Sequence, residues 1–170
     1  MASLTYVNQQ VAAMASNSDK AALKPLLDAL ADRYASVATS TAGLVIKAGG
    51  SALAKTGSAA FAGIANGTPV AIAGSTDMPA LTGITISAGA YNVVCFFIDA
   101  ASTVTAAAGT EGATLAAVKF PPFPTGKALV GYLVITYASA FTGGTTALDT
   151  ATTVYVSPVG VFDPNVRLSA

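Results

Sequence analysis

Apolar residues recur every three or four positions over residues 1–42, and from Leu44 onward they gather instead in short or alternating runs separated by Gly, Pro, Asn and Asp. The first texture predicts helices and the second predicts strands. In the first part, Leu4, Val7, Val11 and Met14 mark one helical segment, which Ser16, Asn17 and Ser18 interrupt before a second opens at Asp19. Within that second segment, Leu23, Leu27, Leu30, Tyr34 and Val37 follow alternating steps of four and three, the spacing that keeps one stripe on one side of a helix. Proline is best placed in the first turn, where its missing N–H costs nothing, so Pro25 predicts a regular helix beginning at Lys24 or Pro25. The stripe reads either as a short coiled-coil seam or as the buried side of a helix packed on its own domain. An isolated helix of this length is marginal in water, so it must pack on something.

Strands are expected near Leu44–Lys47, Ala59–Ala65, Thr68–Ala73, Ile84–Ser87, Tyr91–Asp99, Ser102–Ala107, Leu115–Val118, Ala128–Tyr137 and Thr152–Val156. Tyr91–Ile98 and Leu129–Tyr137 are apolar at successive positions, the mark of central strands covered on both faces. The expected fold is α+β and mainly β: an antiparallel, jelly-roll-like β-sandwich over residues 43–170, preceded by a helical arm over residues 1–42. Asn66-Gly67 lies between two strand-like runs and predicts a tight hairpin turn, since both residues accept positive φ. Read that way, Asn66-Gly67-Thr68 is a turn rather than a glycosylation acceptor. Gly109-Thr110-Glu111-Gly112 predicts a second turn, with Glu111 solvated or bonded to loop amides. Phe141, Gly143 and Gly144 predict a wide turn, with Asp149 capping the loop after it.

Composition changes the picture of the surface. Only 9% of the chain is charged, against roughly 25% in an average domain, and 53% is hydrophobic. A surface so short of charge implies that part of it faces a partner, and the first expectation is a subunit of an assembly. Eight basic residues balance eight acidic ones, which gives no electrostatic reason to bind nucleic acid or an anionic membrane. Thr56–Thr76, Met78–Ile98 and Ala128–Leu148 are uncharged and long enough to span a bilayer, yet Gly, Thr, Ser, Asn and Pro break each of them into strands and turns. Residues 1–10 lack a basic region leading into an apolar stretch, so no secretory leader is expected.

Catalytic chemistry has little to build on. There is no histidine, the commonest general acid or base, and the single Cys95 sits in an apolar run where it reads as a small buried hydrophobe. Metal sites built on His or paired Cys are excluded, leaving only hard-cation sites such as Ca²⁺ from Asp77, Asp99, Glu111, Asp149 or Asp163. No phosphate-cradling glycine fingerprint is present, and no cofactor is expected. A glycosidase pair assembled from Asp99, Glu111 and Asp149 is the enzymatic alternative, against a simpler reading in which each acid bonds amides of its own turn.

One stretch carries a resemblance. Lys119-Phe120-Pro121-Pro122-Phe123-Pro124-Thr125-Gly126-Lys127-Ala128-Leu129-Val130-Gly131-Tyr132-Leu133-Val134-Ile135, with Phe141 to Asp149 and Thr153-Val154-Tyr155-Val156 after it, resembles a pattern in small structural proteins of tailed bacteriophages. A weaker similarity runs upstream through residues 84–112. The resemblance implies a capsid decoration or cement protein, located on the virion surface, made in the host cytoplasm, and partnered by the major capsid protein and by copies of itself, most simply as a homotrimer. A head-fibre or receptor-binding tail appendage is the next reading. From the residues alone, Pro121, Pro122 and Pro124 withhold backbone donors and favour a stiff extended strap. Phe120 and Phe123 either face outward from that strap, as part of an interface with Leu23, Leu27, Leu30, Tyr34 and Val37, or cap the domain's own core.

Overall fold

The computed structural model describes residues 17–163 and residue 168. The expected helix marked by Leu4, Val7, Val11 and Met14 lies outside the described residues. The second expected helix is present as α1 (Asn17–Ala35), longer than Pro25 suggested, because the proline sits inside it. Pro25 removes one intrahelical donor, while Ala21, Leu23 and Lys24 before it are strong helix formers that carry the helix through. Val37, assigned to the end of the helical stripe, is instead in strand β1 (Val37–Ala38). Its β-branched side chain favours extended backbone, and the strand Phe61–Ala65 supplies a partner: Val37 pairs with Ile64.

The chain is mainly β, and among the described residues every strand pair is antiparallel. A three-stranded sheet has the order β1-β4-β5, with β4 at Phe61–Ala65 and β5 at Thr68–Ile72. A four-stranded sheet has the order β11-β9-β7-β8, from β7 (Tyr91–Ile98), β8 (Val104–Ala108), β9 (Ala128–Thr136) and β11 (Thr152–Val156). Two short ladders complete the set: β2 (Val45–Ile46) with β3 (Ala54–Lys55), and β6 (Thr85–Ile86) with β10 (Phe141–Thr142). Strands β1, β3 and β10 had no counterpart among the expected strands; each is two residues long and exists by virtue of its partner. The reverse holds for Leu115–Val118, expected as a strand. Leu115–Ala117 is one 3₁₀ turn closed by the Ala117 amide on the Thr114 carbonyl, and among the described residues no strand pairs with it.

Two apolar layers flank the central strands, as the continuous hydrophobicity of β7 and β9 requires. On one face Val94, Phe96, Ile98, Leu133 and Ile135 pack with Phe61, Val70, Ile72, Ile86 and Phe141. On the other, Val93, Cys95, Phe97, Leu129, Tyr132 and Val134 form a second buried cluster. Fully burying a side chain of this size contributes about 1.5–3 kcal/mol, and Phe61, Phe96, Phe97 and Phe141 are all at or below 1% exposure. A bulge keeps the faces in step: Phe96 pairs with Gly131 and Phe97 with Leu129, so β9 carries one extra residue there. Only glycine fits at 131, because a Cβ would lie 2.6 Å from both Leu44 Cδ1 and the Val156 carbonyl oxygen.

Asn66 and Gly67 form the two-residue turn joining β4 to β5, with φ of 50° and 77°. Both values are those of the mirror-image turn that matches strand twist. Among the described residues, no helix is long and apolar enough to cross a membrane.

Candidate interaction surface

The proline strap runs over the second apolar layer and turns its rings inward. Phe123 meets Phe97 edge-on with centroids 5.0 Å apart, and Phe120 meets Tyr132 in the same way at 5.0 Å. Phe162 closes the group, stacked on Phe123 at 6.0 Å and edge-on to Phe120 at 5.2 Å. Such pairs add about 0.5–1.5 kcal/mol beyond their area. Phe120 and Phe123 are therefore half-buried pieces of their own domain, the second of the two readings the sequence left open. Phe162 was not singled out from the sequence, since it follows the last regular strand and shows no periodicity.

Helix α1 is attached to this cluster by its polar side. The Gly126 amide donates to Asp32 Oδ1 at 2.7 Å, and the Arg33 guanidinium sits 4.3 Å from the centroid of the Phe123 ring. Arg33 Nη1 also lies 3.5 Å from the Phe162 carbonyl oxygen. At the helix end the Gly67 amide donates to the Ala35 carbonyl at 2.8 Å, and the Asn66 amide donates to Ser36 Oγ at 3.1 Å. The β4–β5 turn thus supplies two donors at the C-terminal end of α1, where helical carbonyls lack partners.

With the helix held in this way, its apolar stripe faces away from the domain. Leu23, Leu26, Leu30 and Tyr34 are 38%, 66%, 50% and 61% exposed, and Leu27 is half-buried. At 100° per residue these five fall within about 100° of arc, centred about 180° from Asp32. Leu23, Leu27, Leu30 and Tyr34 are thereby brought onto one surface; Val37, Phe120 and Phe123 are not part of it. Leu26, which the four-and-three spacing passes over, widens the stripe.

A second apolar surface lies where the strap ends. Over β9 and β11 the outer face of the four-stranded sheet stays open as a groove of about 420 Å³, lined by residues that include Tyr132, Val134, Val154, Val156, Leu115 and Leu168. Among the described residues, no charged side chain lines it. Val154, on the outer face of β11, is 54% exposed. Burial raises the phenol of Tyr132 above its ordinary range, so the groove floor stays neutral through ordinary pH.

The acids of the chain are engaged one by one. Asp99 accepts from the amides of Ala101 and Thr103 at 3.0 and 2.9 Å, as its turn position suggested. Glu111 takes the Ser87 amide at 2.9 Å and the Ser87 hydroxyl at 2.7 Å, and these two bonds hold its carboxyl below the ordinary range. Asp77 pairs with Lys47 at the surface. Asp149 does not cap the loop after it; its carboxylate accepts from the Gly50 amide at 2.7 Å, a partner 99 residues upstream that local sequence does not reveal. Among the described residues, no group of three or more acidic or cysteine side chains converges to hold a metal ion. Cys95 is fully buried, and desolvation raises its thiol far above the ordinary range.

No protein-family model, curated protein or solved structure matches the chain.

Proposed function

We propose that the chain is a non-enzymatic virion structural protein that binds and stabilises a phage capsid surface as a homotrimer. In this reading the major capsid protein is its partner, it needs no cofactor, and it is made in the host cytoplasm before joining the virion. The β region is a jelly-roll-like sandwich, its two layers being the β1-β4-β5 sheet and the β11-β9-β7-β8 sheet. The resemblance around Lys119–Ile135 supports the class of protein, and the scarcity of charge supports a life in an assembly.

The observation that carries the reading is the apolar groove over β9 and β11. It lies on the outer face of the four-stranded sheet and presents Val154 and Val156 beside Tyr132. Such a surface binds by apolar burial and shape, with little dependence on ion pairs.

Co-sedimentation with empty capsids of the encoding phage tests this. The protein should pellet with capsids, occupancy should change little as salt rises through the range that screens surface charge, and Val154→Asp should reduce occupancy while the protein stays folded. Failure to pellet at any salt, together with binding to tail structures or host cells, would replace the capsid by an appendage role.

A further inference from the structure

We infer that α1 joins three copies of the chain as a parallel, in-register bundle through Leu23, Leu27, Leu30 and Tyr34, each copy's β domain hanging from the opposite side of its own helix. This rests on the homotrimer reading above and assigns its contact surface; the capsid-facing groove is a separate surface.

The phase of the helix carries the inference. In a heptad with Leu27 and Tyr34 at a and Leu23 and Leu30 at d, Asp32 falls at f, the position farthest from the seam. Asp32 is the residue that ties α1 to Gly126 of its own domain. The domain therefore holds the one edge of the helix that a bundle leaves free, and the edge a bundle needs is exposed. A helix that served only to pack on its own domain would turn its leucines inward and its aspartate out.

The charges agree. Lys24, at e, is paired with Asp28 on the same helix. Arg33, at g, is drawn onto its own Phe123 ring. In a parallel seam g of one heptad meets e of the next on the neighbouring helix, so Lys24 stands opposite position 19, an aspartate, and Arg33 opposite position 38, beyond the helix end; neither cation meets a like charge. Leu26, at the other g position, extends the apolar stripe beyond a and d, which gives a third helix something to cover. Helices that run along a closed threefold axis are parallel and in register, because rotation about that axis preserves the direction and height of whatever runs along it.

Two heptads make a weak coiled coil when free. Here the C-terminal end of α1 is already fixed by Asp32, Arg33 and the Gly67 amide, so less order remains to be imposed on association. A second copy fits the stripe better than an unrelated partner does, because the same residues repeat at heptad spacing and meet themselves in a symmetric bundle.

Light scattering combined with cysteine cross-linking tests the assignment on the full chain. The wild type should have three times the monomer mass. Leu27→Asp with Leu30→Asp should lower the mass threefold while the β-sheet circular dichroism is kept. Leu30→Cys and, separately, Leu23→Cys should give covalent dimers with a short bismaleimide, whereas Asp28→Cys, at b, should not; Cys95 is buried and stays out of the reaction. A monomeric or dimeric wild type would overturn the homotrimer reading and this inference with it. A trimeric wild type in which neither Leu23→Cys nor Leu30→Cys cross-links would overturn the inference alone and give the stripe another occupant, such as residues 1–16. Cross-linking only in a mixture of Leu23→Cys and Tyr34→Cys chains would show antiparallel helices and overturn it as well.

Discussion

Asp32 on α1 accepts the amide of Gly126 at 2.7 Å, bridging 94 residues of sequence at the point where the proline strap turns into β9. One bond thus fixes both the helix and the glycine that lets the chain enter a central strand. Gly126 has φ of 73°, a conformation other residues adopt at a cost. The helix, the strap and the strand consequently meet at one place.

Asp32→Ala should loosen that junction. The carboxylate is half-buried, so water screens part of its bond, and the expected loss is about 1 kcal/mol, below the range for a fully buried charged hydrogen bond. Urea denaturation measures it. Asp32→Asn, which keeps an acceptor oxygen, should recover much of the loss, and equal losses in both variants would show that the charge rather than the acceptor matters.

The strap rings are structural in this fold. Phe120→Ser and Phe123→Ser each remove a half-buried ring with edge-on or stacked neighbours and leave a hydroxyl against apolar carbon, so each should cost about 2 kcal/mol. Phe123→Ser should be the worse of the two, because it also strips the surface on which Arg33 rests. Thermal unfolding gives the comparison. Unchanged midpoints would mean that the rings contribute nothing to their own domain.

Much of the fold was legible because its signals are local. β7 and β9 announced themselves as continuous apolar runs, and their place at the centre of the four-stranded sheet follows from having two faces to cover. Asn66-Gly67 specified its own turn, since only a few residue types accept two successive positive φ values. What escaped the sequence was created by partners far along the chain. Val37 kept the helical spacing but found Ile64 across a ladder. Leu115–Val118 looked like a strand and had no ladder to join. The leucine stripe was visible as a stripe, but its direction was not, because direction depends on Asp32 meeting Gly126. The groove over β9 and β11 was equally hidden: it exists because the strap covers one part of a sheet face and stops.

Gly67→Val should destabilise the β4–β5 hairpin through backbone strain alone. A Cβ at that position would meet no atom within 4 Å, so crowding is not the cause. The left-handed backbone at φ of 77° costs a β-branched residue about 1 kcal/mol or more. The Gly67 amide also caps Ala35, so any shift of the turn disturbs the end of α1. Asn66→Gly keeps both positive φ values within reach and should change the unfolding midpoint little. A Gly67→Val variant as stable as the wild type would mean that the turn relaxes without losing its hold on the helix.

Acid should weaken the loop pair held by Glu111, and the direction follows from its two bonds to Ser87. The Ser87 amide and hydroxyl favour the ionised carboxylate, so its pKa in the folded protein lies below the unfolded value of about 4.3. A group depressed in this way adds stability that is fully present above the unfolded pKa and disappears as pH falls through the folded one. Glu111→Ala removes the contribution at every pH. The difference in melting temperature between wild type and Glu111→Ala should therefore be present at neutral pH and shrink towards zero well below the carboxylate range. The other carboxylates titrate in both proteins and cancel in the difference. A gap that stays constant into acid would mean that the Ser87 bonds survive protonation and that the charge on Glu111 adds nothing to the joining of the two loops.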